Sequence, residues 1–368
     1  MSRNKISLCL ISMPGADAFA SSVDFYLKKW HDTEDTFILK AGCPRFLTGD
    51  AKGLLSESAR AKDIFIISDP YNCSVTYQMR GYENHMSPDD HFQNIKRIVA
   101  AINGKARRVS VMMNMLYGSR QDGRTMRESL DCAVALRELE NSGVKNIITF
   151  DAHDAKVQNA VPYMSFDNLY PSYQMLKALL RNEKGVNLAK ESIVIVSPDE
   201  GGVKRCIQFA KTLGLEIGMF YKQRDTFTVS GGTVPIERHE YIGSDIAGRD
   251  VIVVDDIVAA GDSLLQSFYQ LKQAGARKLY AFITFGMFTK GYGEFDRAYE
   301  KGIFNRIFVT NLTYREITAP DKPYLCNVDL SKYAAHVINC IHHEITITDV
   351  IDPETKIRQL MLATGGIS

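Results

Sequence analysis

Val251-Ile-Val-Val-Asp-Asp-Ile-Val-Ala-Ala-Gly-Asp-Ser263 is the stretch on which the reading of this chain turns. Four β-formers run into two adjacent carboxylates, Asp255 and Asp256, and then into a small-residue turn, Ala259-Ala260-Gly261-Asp262-Ser263. After the turn, Leu264, Leu265, Phe268 and Leu271 recur at helical spacing. A buried parallel strand with an acidic tip, followed by a glycine turn that opens a helix, gathers carboxylates and unpaired backbone N–H groups at one point. The carboxylates suit sugar hydroxyls or a magnesium shell and the turn suits a phosphate, so together they suit a phosphorylated sugar. The same letters also serve plain structure, with Asp262 or Ser263 as an N-cap and Ser263 with Gln266 as a capping box.

Outward from this stretch, strand-like runs recur at Asp63–Ser68, Val109–Leu116, Asn146–Asp151, Ser192–Ser197, Lys278–Phe285 and Arg306–Thr310. Helical patterns at Arg127–Asn141, Val203–Leu213 and Ser263–Ala274 lie between them, each closed by a glycine (Gly143, Gly214, Gly275) suited to a left-handed cap. Alternation of this kind predicts an α/β protein with mainly parallel sheets flanked by helices. Asn141-Ser-Gly-Val-Lys-Asn-Ile-Ile-Thr-Phe and Gln273-Ala-Gly-Ala-Arg-Lys-Leu-Tyr-Ala-Phe share one phrase, which fits two α/β halves joined near Val161–Pro171.

The 368 residues suffice for two domains, and a formal net charge of +1 gives no electrostatic case for nucleic acid or an acidic membrane. Seven scattered Cys without a Cys-x-x-Cys spacing read as reduced thiols of a cytoplasmic protein with no zinc site. The apolar run Ile6–Met13 imitates a short signal segment but reads better as a first strand, followed by a helix burying Phe19, Val23, Tyr26 and Leu27. No run is long enough to span a bilayer.

Four more segments carry chemistry. Gly118-Ser-Arg-Gln-Asp-Gly-Arg-Thr125 nearly fits a Walker A loop, but Arg124 stands where the lysine belongs. Its Arg120-Gln121-Asp122 instead offers a guanidinium and an amide to a nucleotide. Asp151 and His153, two apart after a strand, would share one side of an extended backbone. Ser197-Pro-Asp-Glu-Gly-Gly202 adds a second anion-type loop, with Asp199 as a hard oxygen for magnesium. Tyr221-Lys222-Gln223-Arg224 places two cations on an expected exposed loop, where they can neutralise developing charge.

In this order the segments resemble the ribose-phosphate pyrophosphokinases, also called phosphoribosyl pyrophosphate synthetases, from about Phe46 to the helix near Ala334–His343. Phe46-Leu-Thr-Gly-Asp50 is similar to the family's Phe-Ser-Asp-Gly-Glu, which reaches ATP across a subunit interface. The resemblance implies two phosphoribosyltransferase-like domains at 1–164 and 165–330, with a C-terminal helix and tail at 331–368 packing back on the first. It implies ATP contacts from Phe46, Asp50, Arg120, Gln121, Asp122 and His153, and magnesium positions at His153 and Asp199. Lys222 and Arg224 fall on the catalytic cations, and Asp255, Asp256, Ala259, Ala260, Gly261, Asp262 and Ser263 on the ribose 5-phosphate site. The activity implied is transfer of a diphosphoryl group from magnesium–ATP to the 1-hydroxyl of ribose 5-phosphate, giving phosphoribosyl pyrophosphate and AMP. A cytoplasmic homo-oligomer built from dimers goes with it.

The chain departs from the pattern in ways that mark a divergent branch. Ala259 and Ala260 replace an acid and a threonine, Asp262 replaces a glycine, Thr48 replaces an acid, and Lys-Arg-Arg becomes Lys-Gln-Arg. A carboxylate within a few Å of a phosphate is repulsive by roughly 1 kcal/mol or more. Either backbone N–H groups and Ser263 hold the 5′-phosphate, or Asp262 turns away as an N-cap. Two alternatives stand beside this reading. A phosphoribosyltransferase shares Asp255–Ser263 but leaves Phe46–Asp50, Arg120–Asp122 and His153 unexplained, and a non-catalytic regulatory homologue that binds nucleotide would explain the altered turn.

Overall fold

The structure is a computed structural model that describes residues 7–124, 126–224, 236–316 and 321–363. It divides into two compact units. One comprises Met1–Pro171, Asn311–Tyr314 and Asp329–Ile351; the other comprises Ser172–Thr310, Arg315–Val328 and Asp352–Ser368. Among the described residues no helix is long and apolar enough to cross a membrane.

The first unit holds a five-stranded sheet in the order Ser7–Ser12, Lys62–Ser68, Arg108–Met113, Asn146–Phe150, Ser165–Leu169, with every neighbouring pair parallel. Its inner strands are apolar on both faces because both are covered: Ile64, Phe65, Ile66 and Ile67 have no exposed surface. Burying each such side chain stabilises the fold by about 1.5–3 kcal/mol. The helix Pro88–Ile102 closes one face with Phe92, Ile95, Ile98, Val99 and Ile102. It starts where Ser87 and Asp90 form a reciprocal capping box with Pro88 at the first turn.

In the N-terminal run, Ser7–Ser12 is the first strand, and the helix Asp17–His31 buries Phe19, Val23 and Leu27. Tyr26 is only half-buried; Asp24 is buried with them, accepting hydrogen bonds from Thr36 Oγ1 at 2.9 Å and Phe37 N at 2.8 Å.

Ser165-Phe-Asp-Asn-Leu169 is too polar to read as a strand, yet it forms the edge of this sheet and carries the unit to Pro171, past the 164/165 boundary expected. The helix Ser331–His342 also belongs to the first unit, whereas Glu354–Ala363 falls in the second. An ion cluster fixes the end of the Ser331–His342 helix. Buried Asp63 accepts Arg108 Nε at 2.9 Å, Arg108 Nη2 at 2.6 Å and His342 Nδ1 at 2.9 Å, while Arg108 Nη2 also donates to Ile341 O at 2.7 Å. Burial raises the Asp63 carboxyl, but these partners outweigh it and hold it below its ordinary value.

The second unit holds a seven-stranded sheet in the order Ile236–Gly243, Glu216–Arg224, Ile193–Ser197, Asp250–Val258, Leu279–Gly286, Arg306–Thr310, Leu325–Val328. All pairs are parallel except the antiparallel pairing of the first two. From Ile193–Ser197 the chain first builds outward on one side, then returns to lay Asp250–Val258 on the other. Strand order therefore reverses between these two strands, and in open α/β sheets ligands bind beyond the carboxyl ends of the strands at such a point. Gly143, Gly214 and Gly275 all have positive φ, as their capping role requires.

Candidate active site

In the second unit, Asp255 and Asp256 sit near the end of Asp250–Val258, one half-buried and the other buried. Arg205, in the first turns of the helix Val203–Leu213, reaches Asp256 Oδ2 at 3.2 Å with both side chains largely shielded. Burial, together with Asp256 and Asp199, pushes the Asp255 carboxyl well above its ordinary range, and Arg205 opposes the shift.

The turn that follows ends at Gly261, whose φ of +95° makes it the N-cap of the helix Asp262–Gln273. A Cβ at Gly261 would lie 2.5 Å from the Phe295 ring, so conformation and contact both require glycine. No side chain caps this helix. The N-cap expected of Asp262 or Ser263, and the Ser263–Gln266 capping box, are therefore not formed, because the left-handed Gly261 starts the helix one residue before Asp262. Asp262 points instead to Lys290 Nζ at 2.7 Å, in an exposed pair. The first N–H groups of this helix lack intrahelical partners, and such groups favour an anion.

The Ser197–Gly202 loop lies at the end of the adjacent strand. Ser197 Oγ donates to Asp199 O at 2.6 Å, and Gly202 N donates to Asp199 Oδ1 at 3.1 Å. A Cβ on Gly202 would stand 2.6 Å from Ser197 Oγ, which explains the second glycine. The switch point thus brings Asp199, Asp255, Asp256 and Arg205 into one electrostatic group. Asp199 is half-buried, and its carboxylate is a hard-oxygen donor of the kind magnesium prefers.

Lys222 and Arg224 were expected on a loop, but both lie in the strand Glu216–Arg224, with Lys222 in register with His239. The antiparallel partner Ile236–Gly243 extends this backbone beyond the buried Phe220. The side chains of both cations lie outside the described residues.

In the first unit, Arg120 and Gln121 are exposed after the strand Arg108–Met113, and Gln121 N donates to Gly118 O at 2.8 Å. Asp122 Oδ2 is buried without a hydrogen-bond partner among the described residues. Burial raises the Asp122 carboxyl, His153 lowers it and Asp154 raises it, so the structure brings Asp122 and His153 into one neighbourhood. The pairing expected of Asp151 with His153 differs. Asp151 has φ +39° and is buried, whereas His153 is exposed, because the backbone leaves the extended region at Asp151.

The Phe46–Asp50 loop is a tight turn held by Phe46 N to Asp50 O at 2.7 Å and Gly49 N to Phe46 O at 2.9 Å. Thr48 Oγ1 donates to Asp50 Oδ2 at 2.9 Å, and Arg45 anchors the turn to Asp90 at 2.8 Å. Phe46 projects from it, 55% exposed.

Sequence reasoning missed Arg205, Lys290 and Asp69. Arg205 follows Gly202 by three residues at a helix start, which was a legible signal; Lys290 lies far along the chain and had none. Asp69, just past the strand Lys62–Ser68, is buried and accepts Tyr314 N at 2.8 Å and Tyr71 N at 3.2 Å. Burial pushes its carboxyl up to about 7, with the two N–H groups opposing.

Two family descriptions match the chain: the N-terminal domain of ribose phosphate pyrophosphokinase over residues 8–143, and the phosphoribosyl synthetase-associated domain over residues 234–351. A ribose-phosphate pyrophosphokinase of Vibrio cholerae is 28% identical over 309 residues, covering 83% of this chain and 88% of the relative. Ribose-phosphate pyrophosphokinase 2 of Schizosaccharomyces pombe is 27% identical over 295 residues, covering 78% and 82%. The crystal structure of phosphoribosylpyrophosphate synthetase from Mycobacterium smegmatis superposes with a TM-score of 0.72 over 92% of this chain and 99% of that one, at 20% identity. That likeness speaks for the fold.

Proposed function

We propose that the chain is a member of the ribose-phosphate pyrophosphokinase family and transfers the diphosphoryl group of ATP to the 1-hydroxyl of ribose 5-phosphate. The products are phosphoribosyl pyrophosphate and AMP. The observation that carries this reading is the arrangement at the switch point of the second sheet. Two acids, one buried and one half-buried, stand near a strand end, and a short turn leads from them to a left-handed glycine and a helix with open N–H groups.

Asp255 and Asp256 accept the ribose hydroxyls, and the N–H groups from Ala259 through Ser263 receive the 5′-phosphate. Arg120, Gln121 and Asp122, with His153, grip the nucleotide, and Phe46 and Asp50 reach the nucleotide of a second copy in a homo-oligomer built from dimers. In the second unit Asp199 would offer magnesium an oxygen, in the first unit His153 would be the candidate ligand, and the ion would supply charge neutralisation along the phosphates. Lys222 and Arg224 stabilise charge on the transferring group. The attack is in line on the β-phosphorus and needs no covalent enzyme intermediate, so the protein contributes positioning and charge. The setting is cytoplasmic.

Purified protein given magnesium, ATP and ribose 5-phosphate is expected to release AMP in step with phosphoribosyl pyrophosphate. The reading fails if AMP does not rise above a control lacking the sugar phosphate. Release of pyrophosphate from phosphoribosyl pyrophosphate and a free base would point to a phosphoribosyltransferase instead.

A further inference from the structure

The loop after the strand Leu279–Gly286 is built against the phosphate turn. Met287 N donates to Val258 O at 2.9 Å and Thr289 N to Ala259 O at 2.8 Å. Phe288 between them has φ +48°, a strained conformation for an aromatic residue, and its buried ring packs on Phe295 with centroids 5.2 Å apart. Phe295 is the ring that meets Gly261. Gly291 N closes the loop onto Phe288 O at 2.8 Å, leaving Lys290 at the tip with its Nζ 2.7 Å from Asp262 Oδ2.

Asp262 is the first residue of the helix whose N–H groups open the phosphate site. Alone, its carboxylate would cancel the helix-end potential that attracts an anion. The strained and hydrogen-bonded loop delivers a cation to that carboxylate, and an ammonium has three donors, of which the carboxylate takes one.

We propose that Lys290 is a phosphate-binding residue of this turn. It fixes the preference for a sugar carrying a terminal phosphomonoester and neutralises Asp262 so that the dianion can approach. The assignment rests on the reaction proposed above. It places on a neighbouring loop the polar contact that Ala259 and Ala260 cannot make. Lysine suits the task, being a compact charge that can swing from carboxylate to phosphate.

The test is calorimetric titration of ribose 5-phosphate, with steady-state kinetics, on wild-type protein, Lys290→Ala and Lys290→Ala/Asp262→Asn. Lys290→Ala should weaken ribose 5-phosphate binding at least tenfold and raise its KM in proportion, with the KM for ATP within twofold. The melting point should stay within about 1 °C, because the pair is exposed. Replacing Asp262 in that background should recover at least threefold. Binding that is intact in wild type and unchanged within twofold in Lys290→Ala overturns this assignment alone. Failure of wild-type protein to bind ribose 5-phosphate overturns the proposed reaction and this role with it.

Discussion

Asp256 and Asp262 stand on either side of the same turn, yet their settings are opposite. Asp256 is buried against the shielded Arg205, whereas Asp262 and Lys290 are each about two-thirds exposed, at 69% and 66%. A buried pair is fixed in place, because removing either partner strands a desolvated charge. An exposed pair is screened and contributes little to stability, so its members remain available to an incoming ligand. In the reaction proposed, the rigid acid would serve the sugar and the adjustable charge pair the phosphate. The difference comes from position: Asp256 is still in the sheet, and Asp262 is already in the helix.

The sharpest way to break this contrast is Arg205→Met. Taking the guanidinium away from buried Asp256 should cost about 3 kcal/mol, read as a lower urea midpoint. Adding Asp256→Leu should restore most of that stability without restoring activity. Next in size, Asp255→Ala should lower kcat/KM for ribose 5-phosphate about a hundredfold in the AMP-release assay, with the fold intact by circular dichroism.

Asp69 offers a third setting, a buried acid met by backbone N–H groups. Its native pKa of about 7 lies above the unfolded value near 3.8, so the native state keeps a proton that the unfolded chain releases between these values. This group's contribution is therefore fully present below about pH 4 and declines as pH rises toward 7. Asp69→Asn should remove that slope, gaining about 3 kcal/mol on wild type between pH 5 and pH 8 by thermal or urea unfolding. The smallest stability effect should come from Asp262→Gly, a change under about 0.5 kcal/mol that shrinks further in high salt.

Much of this was legible in the sequence. The runs Asp63–Ser68, Asn146–Asp151 and Arg306–Thr310 announced strands because parallel strands covered on both faces must be apolar throughout. Val203–Leu213 and its Gly214 announced a helix and its end. What escaped was structure that rests on partners rather than on pattern. Ser165–Leu169 is a strand because Asn146–Phe150 offers it an edge, and Lys222–Arg224 is extended because Ile236–Gly243 pairs with it. Asp151 and His153 looked like same-face neighbours until the positive φ at Asp151 turned one inward.

By itself the sequence determined the fold class, the family resemblance and the order of the motifs, since these depend on local periodicity and on residues adjacent in the chain. Only the tertiary structure decided which charges meet. Arg205 stands fifty-one positions before Asp256, and Lys290 twenty-eight after Asp262, yet each pair is in contact. Strand order and loop packing set those distances, and no pattern within either segment records them.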